Sequence, residues 1–201
     1  MKQICKYIVA RVIETIIIIL YMRNILFIIT LLFVSISCAN YSLKIKDDKL
    51  TGIQTYTYAD EYYEYGAKLY FQINNDKEIT WWLYIGTKAM PNLIYANTAY
   101  IFDTKTYDKI IFTLTNVSRN ISTTAAVINE YAYIPSQINY LENAIIQISD
   151  GEVKELYKIL TNAKEVGLRI SGREYQEFML SSSQVKAMID TIEYYNNEFN
   201  N

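Results

Sequence analysis

Residues 69–85 read LYFQINNDKEITWWLYI. Leu69, Phe71 and Ile73 alternate with Tyr70 and Gln72, the period of a strand with one buried face. Asn74, Asn75, Asp76 and Lys77 then supply turn chemistry, because Asn and Asp side chains bond their own backbone and tolerate tight geometry. The run ITWWLYI over 79–85 follows, rich in the β-branched and aromatic residues that fit a pleated, half-buried surface. Working outward, the same text recurs. Upstream lie Leu43/Ile45, a turn at Asp47-Asp48-Lys49, and IQTYTY over 53–58. Downstream, turns at Gly86-Thr87-Lys88, at Asp103-Thr104-Lys105 and over 116–124 separate apolar runs at 93–102, 110–114 and 127–133. With no helical segment between them, residues 41–134 predict an antiparallel β-sandwich or a partly closed barrel.

The pattern changes after Pro135. Ile138, Leu141, Ile145 and Ile148 sit at helical spacing behind Ser136, which suits a cap. Gly151 allows a break, and Val153, Leu156, Leu160 and Ala163 form a second helical stripe, with Glu152 and Glu155 at its favourable N-terminal end. Val166, Leu168 and Ile170 then alternate, Ser171-Gly172-Arg173 suits a turn, and residues 174–180 return as a hairpin. Serines 181–183 cap a last helix with Val185, Met188, Ile189, Ile192 and Phe199 on one stripe. The expected fold is therefore α+β and β-dominated. A sandwich or partial barrel precedes helix, helix, hairpin and helix, with the tail packed on one sheet or one end.

Composition narrows the chemistry. The 201 residues are 51% hydrophobic and include no His, and the two cysteines are Cys5 and Cys38. His-based acid–base catalysis, Cys/His zinc sites and a disulfide framework in the main body are thereby excluded. Residues 39–201 carry 15 basic and 20 acidic side chains, a net of −5. The bases are scattered singly, so no positive face for nucleic acid is expected. No cofactor is expected either.

Residues 22–38, MRNILFIITLLFVSISC, are a different material. Arg23 gives a short positive region, residues 25–34 are apolar apart from Thr30, and Ser35 and Ser37 precede Cys38. This is the three-part pattern of a secretory signal over 22–37, too short for a membrane span of ~20 residues. The ending resembles the lipobox of bacterial lipoprotein precursors, with Ser35 where an aliphatic residue is usual and Val34 one place further out. The resemblance implies that Cys38 is acylated and becomes the first mature residue, anchoring the chain to membrane. Ala39 after it implies the outer membrane or cell surface. A plain cleaved signal with an incidental Cys, or an uncleaved anchor, are the alternatives. In residues 1–21, Arg11 and Glu14 interrupt the apolar run. Met22 is the expected start, with 1–21 an upstream extension, the alternative being a long positive region. The mature unit is then 38–201, one domain with a β-rich part over 41–134 and a mixed part over 135–201.

Residues 162–195, NAKEVGLRISGREYQEFMLSSSQVKAMIDTIEYY, carry a second likeness. The passage of alternating strand, Arg, small-Gly turn, aromatic-Phe-x-Leu-Ser and helix resembles the ending of small bacterial envelope proteins built on a β-sandwich, including those similar to invasion-associated locus B proteins. It implies a secreted fold and no defined chemistry.

The most unusual stretch is 56–65, YTYADEYYEY. Tyr56, Tyr58 and Tyr63 interleaved with Asp60, Glu61 and Glu64 suit a binding edge for a sugar, a cation or a basic partner. Flat rings stack there while carboxylates accept hydrogen bonds. A Tyr-rich strand pair with a solvated acidic turn is the plainer reading. Trp81 and Trp82, adjacent in one strand, point to opposite faces, one to the core and one outward. Trp82 joins the candidate binding residues. Arg169 and Arg173 flank the Ser171-Gly172 turn near Glu174 and Glu177, which suits anion binding or ion pairing across the hairpin.

The expected function is that of a membrane-anchored envelope lipoprotein acting as a non-catalytic binding or structural module. Its lipid on Cys38 holds the membrane, and an envelope protein or a saccharide is its partner. The alternative is a secreted carboxylate-dependent hydrolase using Asp60, Glu61 and Glu64.

Overall fold

The computed structural model describes residues 42–58, 65–124, 127–128, 133–134 and 137–200. The strands in chain order are β1 (Lys44–Asp48), β2 (Ile53–Thr57), β3 (Gly66–Ile73), β4 (Ile79–Gly86), β5 (Thr98–Asp103) and β6 (Lys109–Thr113). They continue with β7 (Ser118–Thr124), β8 (Val127–Ile128), β9 (Tyr133–Ile134), β10 (Gln137–Ile148), β11 (Val166–Ser171) and β12 (Tyr175–Met179). Two helices are described, α1 (Asp150–Asn162) between β10 and β11, and α2 (Ser182–Phe199) at the end.

All pairings are antiparallel. One sheet has six strands in the order β1-β2-β3-β4-β10-β7, a second has four in the order β12-β11-β5-β6, and β8 pairs with β9. The fold is thus β-dominated α+β and sandwich-like. Inward residues of both sheets and both helices share one hydrophobic core, including Leu69, Phe71, Trp81, Leu83, Ile101, Phe112, Leu156, Leu168 and Met188. Burying each such side chain contributes about 1.5–3 kcal/mol. α2 lies on β2 and β3, and α1 packs against α2, β5 and β6. Both helices open on capping boxes, Ser149 with Glu152 and Ser181 with Gln184. A serine oxygen there takes one of the backbone N–H groups that a helix start leaves unpaired.

Three expectations are corrected. Residues 137–148 are not a helix but the twelve-residue strand β10. Ile138, Leu141, Ile145 and Ile148 fit a helical period, yet the buried set is Glu142, Ala144, Ile146 and Ile148, every second residue. Two strands needed a neighbour, and pairing outweighed local periodicity: β10 joins β7 through residues 137–143 and β4 through 143–148. The predicted turn over 116–124 is mostly strand β7. The predicted run over 93–102 becomes strand only from Thr98; before it, the chain is held by side chains and bridges described below.

Candidate binding face

Of the Tyr-rich stretch, Tyr56 and Tyr58 are described, whereas Asp60, Glu61, Tyr63 and Glu64 lie outside the described residues. Tyr56 is not a surface group. It is 7% exposed, its ring stacks on Phe71 at 4.8 Å with planes 2° apart, and its hydroxyl donates to Gln54 Oε1 at 2.8 Å. Tyr194 and Phe199 of α2 complete this aromatic cluster. Strand alternation put Tyr56 on the inward face, where α2 covers it. Tyr58 is half-buried with its ring edge-on to Tyr194. Its backbone N–H donates to Thr191 Oγ1 at 3.2 Å, and burial, then the Asp190 charge, raises its phenol pKa.

The tryptophans separate as strand geometry requires. Trp81 is 2% exposed in the core, with Tyr195 edge-on at 4.9 Å. Trp82 faces outward on the six-stranded sheet between Tyr70 and Gln147 of the neighbouring strands, and it is half-buried.

The more open aromatic surface lies on the other sheet. In β11, Val166, Leu168 and Ile170 point inward, which sends Gly167, Arg169 and Ser171 outward. In β5 the alternation sends Tyr100 and Phe102 to the same outer face. Register makes one transverse row of Ile111, Tyr100, Arg169 and Glu177, and the next of Lys109, Phe102, Gly167 and Met179. Gly167 is required here. A Cβ on it would fall 2.4 Å from Phe102 Cζ, so the ring lies across the space a side chain would take. The result is an open groove of about 400 Å³ lined by Tyr100, Phe102, Tyr107, Lys109, Arg169 and Glu177. Tyr107, in the β5–β6 turn with φ 61°, is 73% exposed beside it.

Charge organises this face. Arg169 Nε lies 2.9 Å from Glu177 Oε2 across the hairpin, so the ion-pair reading of that hairpin holds for Arg169. The Arg169 guanidinium also covers the Tyr175 ring at 4.3 Å, and Lys109 Nζ sits 5.8 Å from the Tyr100 centroid. At the β11–β12 turn Arg173 approaches Tyr95 at 4.4 Å, and Arg119, from β7 of the six-stranded sheet, approaches the same ring at 5.4 Å. All three arginines C-terminal to Cys38 thus lie over tyrosine rings, contacts worth about 0.5–1 kcal/mol each where exposed.

The loop that presents Tyr95 is fixed from beneath. Glu142 is 3% exposed. Its carboxylate accepts the backbone N–H groups of Tyr95 and Ala96, both at 2.8 Å, with Arg119 Nε 3.5 Å away. A buried carboxylate persists only when its oxygens are satisfied in this way. Gly172 lets the neighbouring turn come close, since a Cβ there would meet Tyr95 O at 2.2 Å.

The sequence reading missed Tyr100, Phe102, Tyr107, Lys109 and Tyr175. Alternation placed Tyr100 and Phe102 on one face of a strand, but not Arg169 beside Tyr100. Among the described residues no group of three or more Cys, Asp or Glu is placed to hold a metal ion. Comparison with protein-family models, with curated proteins and with solved structures gives no match.

Proposed function

We propose that this protein is a lipid-anchored module of the bacterial envelope that binds a partner, without catalysis, through the outer face of its four-stranded sheet. The groove beside Tyr100 carries the binding half of the reading. It offers aromatic surface on rigid strands rimmed by Lys109, Arg169 and Glu177, the mixture of apolar surface and a few convergent polar groups that ligand sites share. The pattern ending at Cys38 supports the anchor. Only residues 39–43 separate Cys38 from β1, a stretch of at most ~18 Å when extended. An acylated Cys38 therefore keeps the domain close to the bilayer, with multiple acyl chains giving the stable hold that one chain does not. No described helix is long and apolar enough to cross a membrane.

The test of the anchor is the intact mass of the protein extracted from membranes, with and without a lipoprotein signal-peptidase inhibitor, beside Cys38→Ala. A mature chain starting at Cys38 with a diacylglyceryl-sized addition, absent from the variant, is the expected result. A lipid-free chain starting elsewhere overturns the anchor.

A further inference from the structure

We infer that the groove beside Tyr100 takes an acidic saccharide, a chain whose sugar rings lie on the tyrosines and whose carboxylates meet Lys109 and Arg169. The inference rests on the reading of this face as the binding surface and assigns its ligand class. Three observations carry it.

The first is the presentation of the rings. Tyr100 and Phe102 are two residues apart on one face of one strand, about 6.6–6.8 Å along it. The strand is paired on both sides, with β6 and β11, so little backbone entropy remains to be lost on binding, and each aromatic side chain has only two χ angles to fix. Tyr107 adds an exposed ring at the same end. Broad ring faces suit the C–H face of a sugar.

The second is the polar rim. Arg169 and Glu177 are planar groups paired across the hairpin, both partly exposed. Each presents bidentate hydrogen-bonding geometry to neighbouring hydroxyls or to a carboxylate. Half of the six lining residues are charged, so a purely apolar anchor is not the complement of this surface. A peptide on a sheet adds to an edge strand or sinks apolar anchors into pockets. This groove instead runs over the faces of central strands β5 and β11.

The third is charge. Residues 39–201 have a net charge of −5, yet the groove carries Lys109 and Arg169 against Glu177. Arg173 lies beyond, at the β11–β12 turn, over Tyr95. The lining carries one positive charge in excess within an acidic domain, which favours an anionic ligand over a cationic one by complementarity.

The experiment is a titration of the full mature protein in detergent with short oligogalacturonate. Comparison ligands are the methyl-esterified form of that oligosaccharide and a glutamate-rich peptide of similar length and charge. Tyr100→Ala, Lys109→Glu and, as a control on the other sheet, Gln147→Ala are titrated in parallel, with the chemical unfolding midpoint of each measured. Oligogalacturonate is expected to bind most tightly, Tyr100→Ala and Lys109→Glu each to weaken it by roughly tenfold, and Gln147→Ala to leave it unchanged. Lys109 is an exposed edge-strand residue, so its variant keeps the test sound if Tyr100→Ala lowers stability. Equal binding of the esterified form, or no binding of either saccharide, overturns the inference. Tighter binding of the peptide, lost in the same two variants, also overturns the ligand class but leaves the binding face standing. Saccharide binding unaffected by both variants overturns the face itself.

Discussion

Glu142, on β10, holds Tyr95 by its backbone: one carboxylate oxygen accepts the Tyr95 N–H at 2.8 Å while the other accepts that of Ala96. The same residue is tied back, its own N–H donating to Thr87 Oγ1 at 2.9 Å and its carbonyl accepting from the Thr87 N–H. One buried residue thus fixes two loop segments that follow β4, residues 95–96 through its carboxylate and Thr87 through its backbone. Residues 93–97 lie outside any strand; Ile94 and Asn97 are tied to Arg173, Ser171 and Leu114 by backbone bonds, and Glu142 supplies the acceptors for the two N–H groups between them.

Replacing Glu142 should therefore loosen the loop before it disturbs the sheet. Glu142→Ala leaves the buried Ala96 N–H and the part-buried Tyr95 N–H without their acceptor and is expected to cost about 2–4 kcal/mol of stability. Glu142→Gln keeps one acceptor and should cost about 1.5–3 kcal/mol. Urea unfolding measures both. Amide exchange at Tyr95 and Ala96 should accelerate in each variant more than exchange in β3 and β4. Equal acceleration everywhere would show that Glu142 supports the sheet rather than the loop.

The two tryptophans give an optical test of the inner and outer faces. With Trp82→Phe, the remaining Trp81 should emit at short wavelength and resist acrylamide. With Trp81→Phe, the remaining Trp82 should be quenched more readily, because it is only half-buried, on the sheet's outer side, whereas Trp81 is 2% exposed. Truncating Trp81 to Ala should cost about 3–5 kcal/mol, as for other large core side chains, and truncating Trp82 clearly less. The reverse order of quenching would invert the face assignment of β4.

Alkali should unfold the domain through its tyrosines. Burial raises the phenol pKa of Tyr56, Tyr58, Tyr70 and Tyr195. A hydrogen bond to Glu193 raises that of Tyr157. The folded state retains these protons while the unfolded chain ionises near the ordinary value of about 10. Stability from this source is full below that pH and falls as pH rises through the higher folded values. The urea midpoint should hold level to about pH 9 and then decline. Tyr56→Phe should make the decline shallower, and an unchanged slope would count against Tyr56 as a contributor.

Much of the fold was legible because alternation and turn chemistry are local. Leu69 to Ile85 gave a strand, a turn and a strand, and serines 181–183 gave the last helix its start. β10 was misread because its apolar residues satisfy two periods at once. The deciding residue, Glu142, is a carboxylate that no hydropathy pattern places inside. Its burial depends on N–H groups 46 and 47 residues away in sequence. The groove was hidden for a related reason. Tyr100 meets Arg169, and Arg169 meets Glu177, only through strand register. The Tyr-rich stretch drew attention by composition, and yet Tyr56 within it serves the core.

β10 also sets how the six-stranded sheet is joined. Asn143 is the rung at which its two ladders overlap, paired with Gly86 on one side and Ser118 on the other. Beyond it, toward the start of β10, contact on the β4 side is reduced to the bridge between Met90 and Tyr140 and the bonds of Thr87. β10 therefore serves two partners in turn, β7 over its first half and β4 over its second, with Asn143 common to both ladders. Glu142 is the residue beside that rung. The Tyr95 loop is thereby tied to the seam twice, by the Glu142 carboxylate under its backbone and by the Arg119 guanidinium of β7 over its ring.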